Sequence, residues 1–419
     1  MSISIRDVLL PSGRVDSVYV EGNRIAAVGE KREADVTIDG RRKALLPGFV
    51  NTHTHAAMTL LRGYADDMEL HAWLTDRILP AEAKLTPEAI YWGTKLACLE
   101  MIKSGTTAFN DMYFHMDRAA LAVAEMGIRG FMGVAFFDGL DPAFGEEQLK
   151  KVREAAERIH AMRSERVVPA IAPHAIYTVS PPTLRAAKDL ADARGWLYHI
   201  HVSETKREVD EARRDHGKTP VQLLDAIGAL GANVIAAHSV WLEDDEVRTY
   251  AARGVKVAHC PISNMKLSVG RAMPLAAMRE AGVTVSLGTD GAASNNSLDM
   301  FQTMKVGALL HKFASGRPTV AGANEVLDMA TREGARALRL DAGDIAVGKL
   351  ADFFLVDLRR PELTPLHSLA SNLVYAATGD SVDTVVCDGR VLMRDRHVPG
   401  EEEVRQKAAS VAADLLQGA

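Results

Sequence analysis

The chain has 419 residues, of which 47% are hydrophobic and 25% charged, an ordinary composition for a globular protein with room for a large core. The formal net charge of −6 excludes a broad basic surface for nucleic acid, and no apolar run is long enough to span a bilayer. Three scattered cysteines exclude a disulfide framework, and the polar N-terminus lacks a signal-like apolar core, so we expect a cytoplasmic protein.

Both ends of the chain carry the short alternating runs typical of β-strands. Near the N-terminus hairpins with glycine turns are predicted in SVYV-EGN-RIAAV and DVTI-DG-RRKALL, and near the C-terminus in DTVVC-DG-RVLM. Because neither end is large enough for its own core, we expect residues 1–46 and 346–419 to form one composite β-sandwich.

The middle of the chain, residues 47–345, alternates apolar runs with helical patterns. The runs are LLPGFVNTH, TTAFNDM, RGFMGVAFF, VVPAIAPH, WLYHIHV, NVIAAH, VKVAH and VTVSLGTD. A helix after the first run is marked by Thr86 as N-cap, Pro87 at the first position and Gly105 at the end. Eight strands alternating with helices predict an α/β fold with a closed (β/α)₈ barrel. A doubly wound open sheet is the alternative, and the missing glycine-rich phosphate turn weakens it.

Polar residues stand at the carboxyl ends of these runs, where such a barrel builds its active site. His53 and His55 share one strand face, although an isolated pair of this kind is as often exposed as metal-binding. His201 ends the fifth run and Asp290 follows the eighth. Three imidazoles and a carboxylate suit Zn²⁺, with one position left for water. We therefore predict one zinc ion per subunit, with Fe²⁺ or another divalent ion as alternatives.

Other polar residues lie near these predicted ligands. Glu204, just after His201, is expected to move protons between water and substrate, the alternative being a glutamate in the first turn of a helix. His238, at the end of the sixth run, is a further ligand, a partner of the attacking water or a buried histidine, and the sequence leaves these open. His199 is expected to be a layer residue inside the barrel, and His259 to line the pocket. We expect ordinary surface or helix histidines at His71, His115, His160, His216, His311, His367 and His397.

The fourth run, VVPAIAPH, contains no lysine. Binuclear barrels of this general type need a bridging carboxylate, usually a carbamylated lysine near that strand. A single metal ion is therefore favoured.

These motifs resemble the amidohydrolase superfamily and, within it, the methylthioadenosine/S-adenosylhomocysteine deaminase family. The resemblance runs nearly end to end through LLPGFVNTHTH, WLTDRILPAEAKLTPE, APHAIYT, HIHVSET, AAHSVWL, HCPISNMKL, GTDGAASNNSLDM and GKLADFFLVDL. It implies a distorted (β/α)₈ barrel with a composite β-sandwich, and hydrolytic deamination of an adenine nucleoside in nucleoside salvage.

The resemblance also implies a role for individual residues. The implied zinc ligands are His53, His55, His201 and Asp290. The implied catalytic residues are Glu204 as proton-transfer acid, His238 near the attacking water, and Asp290. The implied substrate contacts are Glu82 to the ribose hydroxyls, His174 to the purine ring, Trp73 as a cover, and Glu204 and Asp290.

The sequence departs from the family in one place. Members that take S-adenosylhomocysteine are similar in carrying an arginine at the end of the third strand, for the amino-acid carboxylate. Here that stretch reads RGFMGVAFFDGL, with Val134 at the matching position and only Arg129 nearby. We therefore expect 5'-methylthioadenosine or 5'-deoxyadenosine as substrate, ahead of S-adenosylhomocysteine or adenosine.

Several alternatives share the same ligands. Guanine- or cytosine-type deaminases and triazine hydrolases are the nearest, cyclic-amide hydrolases are less favoured, and a non-enzymatic scaffold of this fold would have lost a ligand. We expect a small-molecule nucleoside as binding partner, a homo-oligomer, and neither nucleic acid nor membrane as partner.

Overall fold

The computed structural model describes residues 1–416, which form a parallel barrel and a separate mixed sheet. In chain order the strands are β1 (Ser2–Leu9), β2 (Val15–Glu21), β3 (Arg24–Val28), β4 (Val36–Asp39), β5 (Lys43–Pro47), β6 (Phe49–Thr54), β7 (Thr106–Tyr113), β8 (Arg129–Phe136), β9 (Val167–Pro173), β10 (Leu197–Val202), β11 (Val234–His238), β12 (Lys256–His259), β13 (Thr284–Leu287), β14 (Phe353–Asp357), β15 (Val382–Cys387) and β16 (Arg390–Met393).

The helices lie mainly between the barrel strands. In chain order they are α1 (Leu70–Ala72), α2 (Leu79–Glu82), α3 (Pro87–Lys103), α4 (Met116–Met126), α5 (Pro142–His160), α6 (Pro181–Arg194), α7 (Lys206–His216), α8 (Pro220–Ala226), α9 (Asp244–Arg253), α10 (Pro261–Lys266), α11 (Leu275–Glu280), α12 (Met300–Ser315), α13 (Ala323–Ala330), α14 (Arg332–Ala337), α15 (Leu369–Tyr375) and α16 (Glu401–Leu416). A π-helical turn, Trp73–Ile78, joins α1 to α2, and 3₁₀ turns cover Ala56–Leu61, Pro361–Leu363 and Gly379–Ser381. Within residues 1–416, no helix combines the length and apolar character needed to cross a membrane.

Strands β6 to β13 lie side by side in chain order and run parallel, which confirms the barrel and all eight predicted strands. The barrel closes between β13 and β6. There the Asp290 N–H donates to the His53 carbonyl at 3.0 Å, and the Thr52 hydroxyl donates to the Leu287 carbonyl at 2.9 Å. Glycine is required at position 288, because a Cβ there would lie 2.9 Å from the His53 carbonyl oxygen.

Helix α3 shows how local sequence sets the element boundaries. The Thr86 side chain accepts from the Ala89 N–H at 3.1 Å, Pro87 occupies the first turn, and Gly105 follows the helix with a φ of +86°. All three predicted boundary signals are confirmed.

The two chain ends form one eight-stranded sheet, as expected. Strand β14 pairs antiparallel with β5 and so joins the C-terminal strands to the N-terminal ones. The sheet has its own apolar core, which includes Ile3, Ile5, Val18, Phe353 and Leu355. The boundaries 1–46, 47–345 and 346–419 stay a prediction.

One predicted hairpin is wrong. The segment DVTI-DG-RRKALL forms β4 and β5, but both strands pair in parallel with β1 instead of with each other. Between β4 and β5 the chain passes a β-bulge in β1. There the Gly40 N–H donates to the Arg6 carbonyl at 2.8 Å. The other two hairpins, β2–β3 and β15–β16, are confirmed.

Candidate active site

Five side chains from the carboxyl ends of barrel strands meet at one mouth of the barrel. Potential ligand atoms of His53, His201 and His238 lie within 4.8 Å of one another, and so do those of His53, His55 and Asp290. Since His53 belongs to both groups, the structure brings the four predicted zinc ligands together with His238. We call these five residues the imidazole cluster.

Asp290 turns one carboxylate oxygen toward the imidazole rings of the cluster. Its Oδ1 lies 3.3 Å from Nε2 of His53 and 3.2 Å from Nε2 of His55. Its Oδ2 accepts hydrogen bonds from the hydroxyls of Ser263, at 2.5 Å, and Ser294, at 2.8 Å. The two hydroxyls therefore fix the carboxylate and leave Oδ1 for the cluster.

Two of the imidazoles are fixed through Nδ1. His55 donates from Nδ1 to the Met112 carbonyl at 2.6 Å, and His201 donates from Nδ1 to the His174 carbonyl at 2.8 Å. A neutral histidine that donates through Nδ1 has an unprotonated Nε2. Both rings can therefore offer Nε2 to a cation.

Charge in the imidazole cluster is balanced within it. Burial lowers the pKa of His53 to about 4. Burial also acts to lower the pKa of His55, but the hydrogen bond and charge of Asp290 outweigh it and raise that pKa to about 9. Burial alone would raise the pKa of Asp290, yet the two histidines hold it well below its usual value. A proton on His55 thus neutralises the negative charge of Asp290, a role that a bound cation could also take.

Glu204 lies beside the imidazole cluster, only 7% exposed. Its Oε1 is 3.7 Å from Nδ1 of His238. Its backbone N–H and that of Ser203 donate to the carboxylate of Glu208, at 2.8 and 2.9 Å, which fixes the turn after β10. Burial raises the pKa of the Glu204 carboxyl, His238 opposes this, and Asp290 adds to it. Glu204 therefore keeps a proton to higher pH than an exposed glutamate.

A cavity of about 370 Å³ opens onto the imidazole cluster, a size suited to a small-molecule ligand. The structure brings all five predicted substrate contacts into its lining: Trp73, Glu82, His174, Glu204 and Asp290. Apolar side chains from the 70–79 segment and from the end of β8 form much of the remaining wall. Within residues 1–416, no lysine or arginine lines the cavity.

Glu82 and Tyr113 face the cavity together. Burial raises the pKa of Glu82 above its ordinary value, while the Tyr113 hydroxyl and the charge of His55 oppose the shift. The Tyr113 hydroxyl is buried and faces the Glu82 carboxyl group. This pair can accept from and donate to a polar ligand group.

His174 has a fixed ring orientation. The Thr178 hydroxyl donates to the Ala175 carbonyl at 3.2 Å, and its oxygen lies 2.9 Å from Nδ1 of His174. A hydrogen bond between that oxygen and Nδ1 therefore holds the His174 ring with Nε2 directed away from Thr178. Burial lowers the pKa of His174 to about 3, so the ring is neutral.

Two histidines of the strand ends lie away from the cavity lining. His199 is buried inside the barrel, with Nε2 2.8 Å from Nδ1 of His53, as its predicted layer position requires. The expectation that His259 lines the pocket is wrong. Its Nε2 lies 3.0 Å from Nε2 of His311 on α12, because His259 shares the outward face of β12 with Val257.

The end of β8 also differs from expectation. Val134 packs in the apolar core, while Ala135 and Phe137, one and three residues further on and therefore on the opposite face, line the cavity. Arg129 is at the opposite end of the strand, where Nε donates to Asp352 Oδ2 at 2.5 Å. Among the described residues no arginine lies at the cavity end of β8, and Ala135 is the side chain of this strand that lines the cavity.

Four residues near the site carry no role in the sequence predictions. Ser263 and Ser294 fix Asp290, Asn264 contacts His238, and the Tyr113 hydroxyl faces the cavity. For Ser263, Asn264 and Ser294, the signal available in the sequence is that polar residues directly follow strand ends in HCPISN and GTDGAASN. Their partners are far apart in sequence and depend on barrel closure.

The imidazole cluster fits a divalent cation. Nε2 of His53 is buried without a hydrogen-bond partner in the described part of the chain, and Oδ1 of Asp290 lies within 3.3 Å of Nε2 of both His53 and His55. Three imidazole nitrogens and one carboxylate oxygen are donors that zinc accepts. The residues present therefore fit the metal predicted from the sequence.

Comparisons with known proteins agree with the fold. The family model described as "Amidohydrolase family" matches residues 44–392. The 5-methylthioadenosine/S-adenosylhomocysteine deaminase 1 of Archaeoglobus fulgidus is 50% identical over 417 residues, 98% of each chain. The 5'-deoxyadenosine deaminase of Methanospirillum hungatei is 47% identical over 425 residues, 100% of this chain and 95% of the relative. A crystal structure of an adenosine deaminase from Xanthomonas campestris with bound zinc superposes with a TM-score of 0.93 at 35% identity, over 99% of this chain and 98% of that one. The chain therefore belongs to the amidohydrolase family.

Proposed function

We propose that this protein is a zinc-dependent hydrolytic deaminase of adenine nucleosides with a small apolar 5' group, such as 5'-deoxyadenosine and 5'-methylthioadenosine. The observation that carries the proposal is the position of Glu204. Its buried carboxyl, with a raised pKa, adjoins the imidazole cluster and shares a cavity with Glu82. A proton donor beside a metal-type donor set suits addition of water to a ring C=N bond.

The metal would be held by His53, His55, His201 and Asp290. Bound there, Zn²⁺ would lower the pKa of a coordinated water toward about 7. The zinc-bound adenosine deaminase structure supports this choice of metal.

The side chains divide the proton transfers. Oδ1 of Asp290 accepts a proton from the attacking water while Glu204 gives its proton to ring N1 and the water oxygen bonds to C6. As the C6–N6 bond breaks, N6 takes the proton held by Asp290 and ammonia leaves. The proton of the new C6 hydroxyl returns to Glu204, which leaves the inosine analogue and restores both residues.

Binding groups orient the nucleoside for this reaction. Glu82 accepts hydrogen bonds from the ribose hydroxyls, Trp73 covers the substrate, and the neutral His174 contacts the purine ring. Their contribution is positional, since correct placement of the reacting atoms lowers the barrier without further chemistry.

The cavity wall supports a small apolar 5' substituent. Leu70 and Leu74 come from the segment after β6, Ala135 and Phe137 from the end of β8, and no cationic side chain of the described chain is available to a terminal carboxylate. A buried carboxylate without a partner is strongly disfavoured. S-adenosylhomocysteine therefore ranks below the two smaller nucleosides.

Ammonia release from metal-replete protein tests the proposal. The substrates are 5'-deoxyadenosine, 5'-methylthioadenosine, S-adenosylhomocysteine, adenosine and guanine. The control is the variant His367→Ala, which changes an exposed residue and should match wild type. We expect the highest kcat/KM for the first two. Release from none of the nucleosides, or turnover of guanine alone, would refute the nucleoside assignment, and a preference for S-adenosylhomocysteine would refute the 5' selection.

A further inference from the structure

Helix α10 starts directly after β12 and presents two adjacent polar side chains to the imidazole cluster. Pro261 lies in its first turn, and the Asn264 N–H donates to the Cys260 carbonyl at 3.0 Å. Ser263 is fully buried and Asn264 is 4% exposed. Their side chains are therefore fixed by backbone and packing.

The two side chains act on different members of the cluster. Ser263 donates to Oδ2 of Asp290, as described above, whereas Oδ1 of Asn264 lies 2.9 Å from Nδ1 of His238. A second oxygen, Oε1 of Glu204, lies 3.7 Å from the same nitrogen. An amide oxygen only accepts hydrogen bonds, so Oδ1 of Asn264 at 2.9 Å favours a proton on that ring nitrogen.

We propose that Asn264 is a positioning residue that accepts a hydrogen bond from Nδ1 of His238 and so keeps a ring proton on that nitrogen. Nε2 of His238 is then an acceptor, and it is the ring nitrogen left to face His53 and His201. The opposite arrangement has the Asn264 amide rotated, with Nδ2 donating to His238 and the ring proton on Nε2. It would turn Oδ1 of Asn264 away from Nδ1 of His238, whereas in the structure this oxygen lies 2.9 Å from that nitrogen.

The tautomer determines what His238 can do. An unprotonated Nε2 accepts a hydrogen bond from the attacking water and aligns it, while Asp290 takes the proton. A protonated Nε2 would instead donate to an oxygen and oppose this alignment. The catalytic consequence rests on the proposed function, whereas the tautomer is a property of the protein alone.

Two-bond ¹H–¹⁵N spectra of protein labelled with ¹⁵N-histidine test the tautomer, with and without added Zn²⁺. The His238 signals are assigned by their loss in His238→Gln. We expect Nδ1 to be protonated and Nε2 unprotonated in wild type. A proton on Nε2 in the wild-type protein, alone or in addition to one on Nδ1, would overturn the proposal whatever the variants do.

Two variants then test the part played by Asn264. Asn264→Leu keeps the volume but removes the acceptor, so we expect a mixture of His238 tautomers, and in the zinc-loaded protein a fall in kcat of about tenfold or more with KM little changed. Ser263→Ala, one position away, should leave the His238 tautomer unchanged. An unaltered tautomer in Asn264→Leu would overturn the role of Asn264. Absence of deamination in wild type would refute the proposed function and leave the spectral result standing.

Discussion

Nδ1 of His53 lies 2.8 Å from Nε2 of His199, so one N–H···N hydrogen bond joins two buried imidazoles inside the barrel. Burial lowers the pKa of both rings, to about 4 for His53 and well below its ordinary value for His199. Asn110 lies against the far side of His199, with Nδ2 3.0 Å from Nδ1. The position of the shared hydrogen therefore determines whether Nε2 of His53 can bind a cation.

His199→Phe removes this partner and keeps the ring volume. We expect zinc affinity to fall about 10- to 100-fold, because partners of ligand histidines fix their tautomer and orientation. Competition with a chromophoric chelator measures the affinity. His311→Phe replaces another buried histidine, outside the cavity lining, and should leave it unchanged. Equal losses in both variants would mean that the effect is general destabilisation.

Glu204→Gln tests the proton donor. The amide keeps the shape but cannot give a proton to N1, so we expect kcat for 5'-deoxyadenosine to fall about 10²- to 10⁴-fold with zinc content unchanged. Metal analysis and steady-state kinetics on the same preparation check both quantities. Glu211→Gln, on the same loop–helix segment but partly exposed, is the matched control. Near-normal turnover by Glu204→Gln would remove this residue from the mechanism.

The barrel and the cluster follow from patterns that need no tertiary information. Strand C-termini lie at one rim of a parallel barrel, so polar residues that end apolar runs converge there regardless of their separation in sequence. This is why His53, His201 and Asp290 can be placed together from the sequence.

The direction of individual side chains was harder to predict. Side chains alternate along a strand, so an error of one residue in the phase exchanges the core and cavity faces. At the end of β8, for example, Val134 is in the core and its neighbour Ala135 lines the cavity. The outward direction of His259 and the parallel pairing of β4 with β1 depend on neighbours that are distant in sequence.

Ala135→Arg tests the selection of the 5' group. An arginine at this cavity-lining position would supply the missing partner for a carboxylate, and a charge-assisted hydrogen bond contributes about 1.5–3 kcal/mol. We expect kcat/KM for S-adenosylhomocysteine, relative to that for 5'-deoxyadenosine, to rise roughly 10- to 100-fold. Ala135→Met controls for side-chain size and should not raise this ratio. If both variants raise it equally, added bulk is the cause, and if neither does, the carboxylate does not reach this wall.

Arg129 joins the barrel to the mixed sheet, and its removal should cost stability without altering the site. Its guanidinium, 3% exposed, donates to Asp352 at 2.5 Å and to Asp388 at 2.7 Å. Arg129→Met keeps the stem but leaves Asp352 without its cation and Asp388 with only Arg166, at 3.6 Å, so we expect a loss of about 3–5 kcal/mol in the free energy of unfolding. Urea unfolding measures it, and Arg207→Met, which breaks a largely exposed pair with Glu211, should cost about 1 kcal/mol or less.

The same network predicts a dependence on pH. Burial alone would raise the pKa of Asp388, but Arg129, together with Asn23 and Arg166, outweighs it and holds that pKa below its usual value. A carboxylate with a lowered folded-state pKa stabilises the fold above its unfolded pKa of about 3.9, and this stabilisation is lost as the pH falls through the folded value. Without Arg129 the Asp388 pKa rises, so the stability difference between wild type and Arg129→Met should shrink as the pH is lowered through this range. A difference that is constant between pH 7 and pH 3 would mean that the stabilisation comes from packing of the arginine stem, with no contribution from its charge.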